Sequence, residues 1–105
     1  MANYFLDNDD IQFLFKHIYL AELARIQEDD FTRDSEGGGD YAPLDAADAV
    51  DNYRRVLEIV GELAAEVVAP NAEQVDRDGN TLNEDGTVTL HPLVQENLKR
   101  LSQAD

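Results

Sequence analysis

The apolar positions of this chain recur at steps of three and four residues, the spacing that gathers side chains on one face of an α-helix. Ile11, Leu14, Phe15 and Ile18 form one such stripe, and Tyr19, Leu23 and Ile26 form a second beside it. Together they predict a helix from about Asp9 to Glu28 with a face wide enough for more than one neighbour. Asn8 or Asp9 can cap it, because a short side-chain oxygen accepts from the free N–H groups of a first turn. The acids Asp7, Asp9 and Asp10 also suit the positive end of the helix dipole.

The cleanest run is Val50, Tyr53, Leu57, Val60, Ala64 and Val67, widened by Val56, Ile59, Leu63 and Val68. Asp45 is its natural N-cap, and Asp48 three residues on makes a weak capping box. Pro70 interrupts this pattern, yet Ala72 and Val75 continue its register. A proline inside a helix removes one hydrogen bond and crowds the carbonyl four residues back, here that of Glu66, at a cost of about 3 kcal/mol. Two readings are open. The helix ends near Ala69 and a new one begins with Pro70 at its first position, or one long helix kinks at the proline.

Beyond it, Asp85-Gly86 lies between Thr81-Leu82 and Val88-Thr89-Leu90, a turn signal between flanks too short for an independent sheet. A last helix begins near Pro92, with Val94, Leu98 and Leu101 on one face. The expected fold is all-α, a small helical bundle of three to four helices with an irregular loop or tiny hairpin before the last helix. Residues 1–30 are read as an N-terminal extension helix and 31–44 as an acidic linker around Gly37, Gly38 and Gly39. Residues 45–105 are read as a helical domain.

Charge changes this picture more than length does. Asp and Glu outnumber Lys and Arg by 23 to 8, a net charge of −15, while 43% of residues are hydrophobic. Self-repulsion opposes compaction, so the expectation is packed helices with acidic faces and solvated acidic loops. Nucleic acid needs a cationic footprint that displaces counterions, and anionic membranes need the same, so neither is an expected partner. With no cysteine there is no disulfide, thiolate nucleophile or zinc-thiolate site. The N-terminus lacks the basic and apolar segments of a signal peptide, and no apolar run reaches transmembrane length. A cytoplasmic location is expected.

Candidate chemistry is sparse. Asp76, Asp78 and Asn80 match the first ligand positions of an EF-hand loop. The same alignment puts Thr81 where glycine is required and Thr87 where the bidentate glutamate must stand. His17 and His91, the only histidines, fall in separate segments, His17 on a helix flank and His91 as a loop or N-cap residue. Carboxylates are abundant, but no pair is singled out. No catalytic, cofactor-binding or metal-ligating residue is assigned. Taken alone, this is a helical packing module whose apolar faces exceed what three helices cover, and uncovered apolar patches mark contact surfaces.

The segment VLEIVGELAAEVVAPNAEQVDRDG, Val56 to Gly79, resembles the second helical segment of the N-terminal domain of FAD-dependent acyl-CoA dehydrogenases. In that pattern an apolar helix is followed by Ala-Pro, here Ala69-Pro70, and by a polar stretch ending in an Asp-x-x-Gly turn, here Asp76 to Gly79. NYFLDNDDIQFLF, Asn3 to Phe15, resembles the N-terminal extension of the larger members, the 3-methylmercaptopropionyl-CoA dehydrogenase-like group. YAPLDAADAVDNYRRVLEIVGE, Tyr41 to Glu62, is similar to their entry into the helical domain. The resemblance spans nearly the whole chain and rests on packing motifs. It implies part of a longer flavoenzyme that dehydrogenates acyl-CoA thioesters at the α and β carbons. FAD and the glutamate base would be held by domains other than this one. It also implies no cofactor in this chain and no activity for it alone. The partners would be the remaining domains, acyl-CoA in the parent, and further copies in a homo-oligomer. The competing reading is a standalone acidic helical protein-interaction module.

Overall fold

The computed structural model describes residues 2–32 and 42–104, so the Gly37–Gly39 stretch of the linker lies outside the described residues. The described part is mostly helical, with one small antiparallel hairpin before the last helix. By its contacts the chain divides into two compact units, Asn8–Glu58 and Met1–Asp7 with Ile59–Asp105.

In the first unit, α1 (Asp9–His17) starts at Asn8, whose side chain accepts from the Ile11 N–H. The expected single helix to Glu28 is two helices, which corrects the sequence reading. Ile18 takes an extended conformation (ψ 146°), and Tyr19 (φ −73°, ψ 68°) turns the chain before α2 (Leu20–Gln27) begins. The Leu20 N–H reaches the Ile18 carbonyl at 2.7 Å, which closes an inverse γ-turn around Tyr19. A β-branched residue followed by an aromatic one is a weak place in a helix, because both lose χ1 freedom against the preceding turn.

After α2 the chain makes a tight turn in which Asp29, Asp30 and Phe31 all have positive φ (51°, 55° and 61°). Left-handed backbone costs roughly 1–2 kcal/mol per residue outside glycine. Three local contacts offset part of that cost. Phe31 N–H donates to the Glu28 carbonyl, Thr32 Oγ1 donates to the Asp29 carbonyl, and Arg25 holds Asp30 at 2.7 Å.

The third helix, α3 (Ala46–Leu63), begins as the sequence predicts. Asp45 accepts from the Asp48 N–H at 2.8 Å, and the Asp48 carboxylate reaches back to the Leu44 N–H at 3.1 Å. Within the first unit, Tyr53 Oη donates to Glu28 Oε1 at 2.9 Å, while Ala24 and Ala49 are fully buried.

Pro70 is met by a third solution. A π-helical turn, Ala64–Val68, joins α3 to α4 (Ala69–Asp78) with no non-helical residue between them. The Ala69 N–H donates to the Ala64 carbonyl, five residues back. The wider turn opens the helix just where the proline ring would otherwise press on the Glu66 carbonyl. Pro70 then follows as the second residue of α4. The helix therefore neither restarts nor breaks, and takes up one extra residue. At Gly79 (φ 70°) it ends, with the Gly79 N–H donating to the Val75 carbonyl, so the predicted Asp-x-x-Gly turn is a glycine C-cap.

The hairpin pairs β1 (Thr81–Leu82) with β2 (Val88–Thr89), Thr81 opposite Thr89 and Leu82 opposite Val88. Gly86 (φ 88°) supplies the left-handed residue of its turn. The Asp85 carboxylate accepts from both the Thr87 N–H and the Thr87 hydroxyl. The last helix, α5 (Pro92–Ser102), follows, and Asn71 of α4 donates to Asn97 of α5 at 2.9 Å.

The N-terminal segment belongs to this second unit and docks against Gly61. Tyr4 N–H donates to the Gly61 carbonyl at 3.0 Å. Asn3 Oδ1 accepts from the Phe5 and Leu6 N–H groups, and the Asp7 carboxylate accepts from the Asn3 N–H. Phe5 and Asn3 are buried here. A Cβ on Gly61 would stand 2.7 Å from the Phe5 nitrogen and would also collide with Asn3 Oδ1, so glycine is required for the close approach.

Candidate functional site

Two features stand out as possible sites, and they differ in kind. The first is His91, which is 8% exposed. It is the N-cap of α5, and its Nδ1 accepts from the Leu93 N–H at 3.0 Å. With Nδ1 an acceptor, the ring proton is on Nε2, which donates to Asp78 Oδ2 at 3.0 Å. Asn80 Oδ1 accepts from the His91 N–H. An Asp–His pair is a familiar general-base arrangement, but a base needs a nitrogen facing its substrate. Here one nitrogen is engaged by the backbone and the other by the carboxylate. The node joins the end of α4 to the start of α5.

The same geometry bears on the calcium alignment. Asp76 and Asp78 lie in the last turn of α4 rather than in a loop, and Asp78 and Asn80 both serve His91. His17 closes α1 and is exposed, its ring 4.4 Å from that of Phe13. Among the described residues no group of His, Cys, Asp and Glu converges as a metal site.

The second feature is uncovered apolar surface. The buried hydrophobic side chains among the described residues are Phe5, Ala24 and Ala49, while nineteen large hydrophobic side chains are exposed. That ratio inverts the usual core and identifies the faces involved. Leu23 and Ile26 of α2 are 51% and 63% exposed and share one face, and Tyr19 in the turn before the helix is 86% exposed. On α1, Ile11 and Leu14 are exposed, as is Ile18 just past its end. In the second unit Leu98 and Leu101 of α5 are likewise exposed.

Of the two sequence-predicted stripes, Ile11 and Leu14 lie exposed on α1 and Leu23 and Ile26 on α2, while Ile18 and Tyr19 fall in the break between the helices and Phe15 is half-buried. Glu22 and Asp30 flank the α2 stripe and are bridged by Arg25. The Arg25 guanidinium holds the Glu22 carboxyl below the ordinary carboxylate range. The arrangement offers apolar area and fixed charge, which suits association rather than bond-making chemistry.

The chain matches no protein family, no curated protein and no solved structure. No helix among the described residues is long and apolar enough to cross a membrane.

Proposed function

We propose that this chain is a packing domain whose exposed helical faces are covered by further protein, as the N-terminal helical domain of an FAD-dependent acyl-CoA dehydrogenase. The supporting observation is that, among the described residues, nineteen large hydrophobic side chains are exposed while the buried hydrophobic set is one phenylalanine and two alanines. Exposed apolar side chains in such number mark contact surfaces. The Ala69-Pro70 helix and its glycine C-cap at Gly79 are consistent with the resemblance, though their physical explanation is local. In this reading the chain helps to close the acyl pocket of the parent, contributes no catalytic group, and holds no flavin. FAD, acyl-CoA and the assembly of copies belong to the whole enzyme.

The test is isolation of the native product from source cells with an antibody against this chain, followed by its mass and its absorbance near the flavin band. The reading expects a polypeptide several times larger than 11.7 kDa that carries flavin. A colourless product of 11.7 kDa would overturn it and leave a standalone acidic interaction module.

A further inference from the structure

The exposed apolar face of α2 differs from those of α1 and α5 in the charges around it. Leu23 and Ile26 stand one turn apart on α2, and both are exposed. Glu22, four residues before Ile26, lies on the same side of the helix. The turn after α2 adds Asp29 and Asp30, which are exposed as well. Between Leu20 and Thr32 the only cationic residue is Arg25, and it is shared between Glu22 at 2.6 Å and Asp30 at 2.7 Å. Three carboxylates therefore stand against a single guanidinium.

The other two faces lack that imbalance. α1 sets Lys16 and His17 against Asp9 and Asp10, and α5 sets Lys99 and Arg100 against Glu96. An apolar centre with a charged edge selects its partner by complementary charge, because a like charge brought to that edge is repelled. A second copy of the chain brings its own net charge of −15, and self-repulsion opposes that association. An occupant that carries cations beside its apolar residues meets both requirements.

We infer that the α2 face takes a cationic amphipathic helix, with apolar residues at steps of three and four and Lys or Arg beside them. Its apolar stripe covers Leu23 and Ile26, and its cations pair with Glu22, Asp29 and Asp30. This rests on the packing-domain reading and deepens it by stating the chemistry of what covers one face.

The isotope-labelled 105-residue chain is titrated with a synthetic Leu/Lys peptide of about 18 residues, long enough to form a helix, and amide shifts are followed by NMR. Two controls accompany it, the same peptide with Glu for Lys, and a scrambled Leu/Lys peptide without the helical stripe. The expected result is saturable shifts clustered between Tyr19 and Thr32, with each control weaker by about tenfold or more. Added salt should weaken binding, since the charges at this edge are exposed. Leu23→Ser with Ile26→Ser should weaken it by about tenfold with the helical circular dichroism unchanged. Asp29→Asn keeps a residue that tolerates positive φ and should weaken it roughly twofold to threefold at low salt.

Flat titrations would overturn the inference. So would equal binding of the Glu peptide, equal binding of the scrambled peptide, or shifts spread along the chain. Self-association of the free chain through Leu23 and Ile26 in sedimentation would also overturn it, by giving the face to a second copy. Each of these failures leaves the packing-domain reading standing, because the mass and colour of the native product decide that one.

Discussion

The N-terminal segment at Gly61 and the α1–α2 region sit side by side in sequence and are held by different means. The first is a knot of short, mutually satisfied contacts, in which Asn3 serves two backbone donors and Gly61 accepts from Tyr4. The second keeps three consecutive left-handed residues and exposed apolar side chains on both helices. A knot that satisfies its own polar groups needs no partner. A strained turn next to uncovered leucine and isoleucine side chains has stabilisation still to gain from one. The difference teaches that this chain satisfies its polar nodes locally and leaves its apolar faces exposed.

Substitution should separate the two. Gly61→Ala should have the largest effect on stability, about 1–3 kcal/mol by overpacking, read as a lower denaturant midpoint. Loss of protection at Tyr4 should accompany it. His91→Ala comes next, since it removes a helix cap and a buried hydrogen bond together, about 1–2 kcal/mol. His91→Asn replaces the capping nitrogen with an amide oxygen that can also accept from the helix N-terminus, and should recover part of that loss.

A smaller effect belongs to Asp85. Donation from the Thr87 hydroxyl and N–H keeps its carboxyl below the ordinary carboxylate range. A group whose folded value is depressed stabilises the folded state above its unfolded value, about 3.9 for aspartate. That contribution is lost as pH falls through the folded value. The Thr87 amide shift should therefore titrate below the usual aspartate range, and Asp85→Asn should flatten it. The smallest effect on stability belongs to Leu23→Ser and Ile26→Ser, within about 0.5 kcal/mol because both side chains are already exposed. These two should instead reduce binding of an apolar dye. A destabilisation as large as that of Gly61→Ala would erase the distinction between knot and face.

Much of the fold was legible where the signal is local. Asn8 and Asp45 cap their helices, Gly79 ends α4, and the Asp85-Gly86 turn makes the hairpin. The break at Ile18-Tyr19 was visible only as two stripes where a single helix would show one, because no glycine or proline marks it. The π turn was hidden because an added residue changes the hydrogen-bond register without leaving a compositional trace. The nodes that could be mistaken for chemistry were the least legible. His91 meets Asp78 across 13 residues, and Arg54 reaches Phe15 from another helix. Periodicity reports which face a residue occupies but not which distant side chain it meets.

The central claim is that the α1 and α2 faces are covered by other protein in the native setting. Hydrogen exchange of the isolated 105-residue chain, compared with the same residues in the product isolated from cells, tests it most directly. The account predicts that amides of Ile11–Gln27 gain at least tenfold protection in the native product, about 1.4 kcal/mol, while those around Gly61 and His91 change little. Equal exchange of Ile11–Gln27 in both samples would contradict it.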